Sequence, residues 1–176
     1  MKGFKVFVKD RSQTDLMAKV IASHLAPGDV LLFMGDLGAG KTHMIREILA
    51  GLGVDKALVT SPTFAIVHTF EGDAFPCVHA DLYRLGPEAD LSEIGLLEFM
   101  GDGKHCVFVE WGDYLGESDK EGLPILEIWL YFPEKGENSE ERIIEFKTED
   151  LGWQDRLGPL YDELKRGGLH IEGTHS

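Results

Sequence analysis

Cysteine is nearly missing from this chain: Cys77 and Cys106 are the two among 176 residues. They lack metal-ligand spacing and cannot form a disulfide framework. Both stand in apolar stretches, the setting of buried free thiols, and a reducing cytoplasm suits them. Long hydrophobic runs are missing as well; none approaches the roughly 20 residues that span a bilayer. Residues 1–8 are too short, and too interrupted by Lys2 and Lys5, to read as a signal peptide. Positive charge is in short supply. Lysine and arginine total 17 against 31 aspartates and glutamates, a formal net charge of −14. No run of Lys or Arg relieves that deficit, which argues against tight direct binding to a phosphate backbone. A role in a nucleic-acid process would then run through a partner.

What is present suffices for one domain with a real core. Residues 4–8 alternate as a short strand. Residues 12–15 are rich in helix-capping side chains, and Leu16, Met17, Val20, Ile21 and Leu25 then follow a helical period. Residues 30–34 form an unbroken apolar run, the pattern of a strand buried on both faces. A glycine-rich loop follows, and Met44, Ile45, Ile48, Leu49 and Leu52 mark the next helix. Further strands are expected at 64–70, 77–83, 105–111, 125–132 and 143–146, with a charged hairpin or loop at 134–141. Ser92 can cap a helix carrying Ile94, Leu96, Leu97 and Phe99, and residues 153–165 read as a final amphipathic helix. Strands alternating with helices, then a β-rich second half, give one α/β domain with a mixed central sheet flanked by helices over residues 1–166. Residues 167–176 read as a flexible tail.

The segment Gly35-Asp36-Leu37-Gly38-Ala39-Gly40-Lys41-Thr42 is a P-loop in its proper context, between an apolar strand and a helix. Glycines let the backbone turn tightly so that its N–H groups face phosphates. The positive end of the next helix points at the same anion. Lys41 would reach the β- and γ-phosphates, and the Thr42 hydroxyl would ligate Mg²⁺. The domain is therefore expected to be P-loop NTPase-like.

Such a site needs a second acid near the metal, hung from a neighbouring strand end. Asp81 follows the apolar stretch 77–80, and Glu110 follows Val107-Phe108-Val109. Either could hold Mg²⁺ or position the attacking water; an acid ending a strand can also be merely solvated. Trp111 could stack on a base or fill the core. Ser61-Pro62-Thr63 could sense a γ-phosphate or simply turn into a strand. No Asn-Lys-x-Asp or Thr-Lys-x-Asp motif reads guanine, so ATP is favoured. Sparse arginine argues against the phosphate-clamping lid of a small-molecule kinase, and no arginine finger is identifiable.

Together these motifs resemble the bacterial TsaE family of P-loop ATPases in tRNA threonylcarbamoyladenosine biosynthesis. The matching pieces are the P-loop, then Thr60-Ser61-Pro62-Thr63-Phe64, then His79-Ala80-Asp81-Leu82-Tyr83-Arg84-Leu85, then Val109-Glu110-Trp111. The likeness runs from about residue 12 to about residue 146. It implies that Gly38, Ala39, Gly40, Lys41 and Thr42 bind the phosphates, that Thr42 and Glu110 hold Mg²⁺, and that Asp81 is a conditionally essential acid of the same site. It implies further that Thr63 lies in a switch-like segment near the γ-phosphate, and that Trp111, Thr14 and Arg142 lie near the nucleotide. His43 stands where the family often has a second Thr, and its backbone N–H can still reach a phosphate. Ala80 replaces a common aromatic. The resemblance implies two partners, TsaD and TsaB, with tRNA held by them rather than by this chain. It implies an Mg²⁺-dependent ATPase that drives the transferase complex; without an identifiable arginine finger, slow turnover by the chain alone is expected. A nucleotide-gated binding module that needs no hydrolysis, or a small-molecule kinase, are the alternatives.

Overall fold

The computed structural model describes residues 2–59, 66–88, 90–133 and 140–173. Thr63, the start of the strand expected at 64, and most of the expected 134–141 hairpin lie outside the described residues. Eight strands form one mixed sheet: β1 (Lys2–Val8), β2 (Val30–Met34), β3 (Val67–Glu71), β4 (Pro76–Asp81), β5 (Cys106–Glu110), β6 (Ile125–Tyr131), β7 (Arg142–Thr148) and β8 (His170–Glu172). Their spatial order is β3-β4-β5-β2-β6-β7-β1-β8. The centre, β4-β5-β2-β6, is parallel, and β3 and the β7-β1-β8 flank run antiparallel to their neighbours.

Helices cover both faces, as a parallel centre requires. Side chains alternate across the sheet, so odd and even positions of one strand enter different cores. Leu31, Phe33 and Phe108 pack under α1 (Arg11–Ser23), α2 (Lys41–Gly51) and α5 (Leu151–Arg166), against Met17, Ile21, Met44, Ile45, Ile48, Trp153 and Leu157. Val30, Leu32, Val78, Ala80, Val107 and Val109 face the other way, onto Leu91 and onto Leu96 and Met100 of α3 (Leu96–Gly101). All five residues of β2 and all five of β5 are buried. At about 1.5–3 kcal/mol for each large apolar side chain, these two strands are the fixed frame of the molecule.

Three local differences from the sequence expectation have physical causes. The helix expected after Ser92 is broken: Asp90 caps a short 3-10 turn, Leu91–Ile94, and α3 begins only after Gly95, whose φ of 70° a continuous helix cannot contain. Two more short elements, a 3-10 turn Gly112–Tyr114 and α4 (Glu117–Lys120), are too brief to show a helical period. The segment expected to fray beyond residue 166 contains β8, which pairs with β1 through Val6↔Ile171 and buries Leu169. Three strand residues carry too little alternation to be seen in a sequence; the open edge of β1 supplies what local pattern does not.

Candidate functional site

Three adjacent parallel strands end at one place. β2 runs into residues 35–40 and α2, β5 ends at Glu110, and β4 ends at Asp81. The register pairs Phe33 with Glu110 and Glu110 with Asp81. Both acids therefore stand beside the loop, in the crevice beyond the carboxyl ends of the strands where α/β sheets bind ligands.

The loop is held from below. Gly35 has φ 133°, and a Cβ there would come within 2.3 Å of the Leu130 carbonyl oxygen, so only glycine passes. At the start of α2, Gly40 occupies the N-cap and no side chain caps the helix. Its first N–H groups stay open, which is the arrangement that receives an anion. Lys41 is 5% exposed. Its Nζ donates to the carbonyls of Gly35 at 2.6 Å and Asp36 at 2.9 Å, and lies 4.1 Å from the centre of the Trp111 ring. Burial pulls the Lys41 ammonium below the usual lysine range, while the charges of Glu110 and Asp81 oppose that shift. Trp111, with φ 60°, is the one non-glycine residue of positive φ among the described residues. Tyr83 and Tyr114 flank its ring at 5.0 and 5.7 Å.

Glu110 is 3% exposed, and its Oε1 accepts from the Thr42 hydroxyl at 2.7 Å and bonds His79 Nε2 at 2.9 Å. Asp81 accepts from the Tyr83 N–H at 3.1 Å. Burial pushes the Asp81 carboxyl above the usual range; the Tyr83 N–H opposes this, and the negative charge of Glu110 adds to it. A cleft of 420 Å³ opens over Lys41, Thr42, Asp81, Glu110 and Trp111, with Tyr83 and Arg84 also in its wall. Beside it the Thr42 hydroxyl and the Asp81 and Glu110 carboxylates offer oxygen, the ligand a hard divalent cation takes.

The remaining expected residues lie elsewhere around the loop. Thr14 and Arg142 line a smaller cavity of 140 Å³ together with Gly38, Ala39, Gly40 and His43. Arg142 donates from Nε to the Ala39 carbonyl at 2.9 Å, with its guanidinium over Phe132 at 4.3 Å. Thus Trp111 shares a cleft with Lys41 and the acids, and does not share the cavity of Thr14 and Arg142. His43 lines both spaces and bonds Asp15 at 2.8 Å, tying α1 to α2. The ligand atoms of Asp15, His43 and Glu47 fall within 4.8 Å of one another. Arg46 bonds the His43 ring and Lys56 bonds Glu47, so cationic side chains already serve that cluster.

Sequence reasoning gave no role to His79, Tyr83 or Arg84. For His79 a signal was available. It stands two residues before Asp81 on a strand, and period-two spacing puts both on one face.

Comparisons with known proteins give the chain its relatives. The family model described as threonylcarbamoyl adenosine biosynthesis protein TsaE matches residues 8–143. The Bacillus subtilis (strain 168) protein named tRNA threonylcarbamoyladenosine biosynthesis protein TsaE is 34% identical over 166 residues, covering 94% of this chain and 96% of its own. The protein of the same name from Streptomyces coelicolor is 41% identical over 100 residues, 55% of this chain and 66% of its own. The crystal structure of Bacillus subtilis YdiB superposes with a TM-score of 0.64 at 30% identity, over 95% of this chain and 97% of that one. With a family model matched from before α1 to the start of β7 and a relative aligned over almost its whole length, the chain belongs to the TsaE family.

Proposed function

We propose that this chain binds ATP with Mg²⁺ at the loop and hydrolyses it in tRNA threonylcarbamoyladenosine biosynthesis, the process its relatives are named for. The observation that carries the reading is the 2.7 Å hydrogen bond from Thr42 to Glu110 at the mouth of an uncapped helix N-terminus. The hydroxyl and carboxylate oxygens fit Mg²⁺, and Thr42 and Glu110 would hold it. When bound, the cation neutralises charge growing on the transferring phosphate. Backbone N–H groups of Gly38 and of Gly40 to His43 cradle the phosphates, while that of Ala39 is given to the Asp36 carbonyl. Lys41, freed from the carbonyls of its own loop, brings its charge to the β- and γ-phosphates, and the Trp111 face steadies that ammonium. Asp81, whose carboxylate opens on the same cleft, accepts a hydrogen bond from the attacking water. The nucleoside end lies toward Thr14 and Arg142, and Thr63 senses the γ-phosphate. The chain works in the cytoplasm on a transferase complex of TsaD and TsaB, which hold the tRNA; a net charge of −14 suits that division.

The test is ATP hydrolysis by the purified chain, then with TsaD, TsaB and tRNA from the same source. Slow turnover alone, strict need for Mg²⁺, and strong stimulation by the partners are expected. ATP binding with no stimulation would transfer the reading to a nucleotide-gated docking module.

A further inference from the structure

We propose that His79 is a positioning residue for the cation site: its ring donates from Nε2 to Glu110 and thereby decides which carboxylate oxygen is left for the metal. The proposal rests on the ATP–Mg²⁺ reading above. Two donors converge on a single oxygen, because Glu110 Oε1 receives Thr42 Oγ1 at 2.7 Å and faces His79 Nε2 at 2.9 Å. A carboxylate oxygen has two lone pairs, so Oε1 is saturated and Oε2 alone stays open to the cation or to a water upon it. The same arrangement sets Thr42. A hydroxyl that gives its proton to Oε1 keeps its lone pairs for the cation.

His79 itself is fully buried, and its Nδ1 is the one buried side-chain polar atom without a hydrogen-bond partner among the described residues. An imidazole placed there costs free energy that a leucine would not. The contact to Glu110 is what it supplies in return. It also fixes the tautomer. A proton on Nε2 serves the carboxylate and leaves Nδ1 as a bare acceptor, whereas a proton on Nδ1 would bury an orphan donor and set two acceptors face to face. The backbone explains the reach. His79 lies opposite Phe108 and Asp81 opposite Glu110 in the parallel β4–β5 register, so His79 stands one pleat deeper than the acids, on their own face of the sheet. A group that hydrogen-bonds a metal-ligating carboxylate orients it, and losing such a group lowers metal affinity by about 10–100-fold.

The experiment is calorimetric binding of a non-hydrolysable ATP analogue to the full chain across a Mg²⁺ titration. Three proteins are compared: wild type, His79→Leu, which keeps bulk and removes the donor, and His79→Gln, which returns an N–H near the Nε2 position. The Mg²⁺ midpoint should rise about 10–100-fold in His79→Leu and return most of the way in His79→Gln. An unchanged midpoint in His79→Leu, or a glutamine no better than leucine, overturns the proposal and leaves His79 as core filling. A wild type indifferent to Mg²⁺ is a separate result that sinks the metal reading itself. Nitrogen-15 NMR of the unaltered His79 ring gives a second test that needs no variant. The proton belongs on Nε2; finding it on Nδ1 would also overturn the proposal.

Discussion

At the scale of single residues, the site is a small set of side chains whose burial sets their chemistry. Lys41 sits under the Trp111 face with two of its hydrogen bonds spent on the loop. Lys41→Ala should abolish nucleotide binding measured by calorimetry while leaving the thermal transition cooperative. Asp81 gives a prediction with a sign. Its carboxyl is shifted upward chiefly by burial, so the folded chain holds that proton more readily than the unfolded chain. The associated stability is present at low pH and is lost as pH rises through the folded value; at neutral pH the charged Asp81 is a load. Asp81→Asn should therefore raise Tm at pH 7, and the gap should close as pH falls through the carboxylate range. The group is half-buried and partly screened, so the gain is on the scale of about 2–4 °C. Melting curves of both proteins from about pH 3 to about pH 8 give the comparison; a variant less stable at every pH would refute the burial account.

At the scale of elements, the three long helices α1, α2 and α5 do not all begin alike. α1 and α5 start on aspartates, Asp10 and Asp150, whose carboxylates accept from Gln13 and Trp153 N–H groups. α2 starts on Gly40 with no such cap, and it is the helix beside the cleft. Asp150→Ala should cost about 1 kcal/mol in urea unfolding, with Asp150→Asn recovering most of it. Adding a capping side chain at Gly40 would instead put a competitor in front of the open N–H groups. The sequence showed α2 and its loop through motif and period together. It did not show the break at Gly95, because the apolar spacing from Ile94 to Phe99 is helical and the glycine's sign of φ is a property of the folded chain.

At the scale of the whole molecule, one ion pair ties the C-terminal helix to the strand that carries the loop. Arg156 bonds both oxygens of Asp29 at 2.6 and 2.7 Å, and its guanidinium lies 3.8 Å over the Trp153 ring. Asp29, 2% exposed, directly precedes β2. Arg156→Leu would leave that carboxylate buried without its cation, at a cost of about 3 kcal/mol, read from denaturant midpoints. The far edge is protected by β8. Removing residues 167–176 would strip the pairing from β1 and expose strand hydrogen-bonding groups, so the shortened chain should self-associate more than the full chain in light scattering.

The sequence by itself determined the local chemistry: the P-loop, the strand buried on both faces before it, the acids at two strand ends and the acidic balance. Each rests on neighbours in the chain, where spacing and residue type are sufficient. Only the tertiary structure decided the neighbours in space. That Glu110 and Thr42, paired beforehand only through the family likeness, meet in a hydrogen bond, that His79 stands behind Glu110, and that Trp111 covers Lys41 rather than lying with Thr14 and Arg142 all follow from strand order and register. Alternation tells which face a strand residue takes, but not which strand will lie beside it. The order β4-β5-β2 is set by how the two cores close over the sheet, a property of the folded whole.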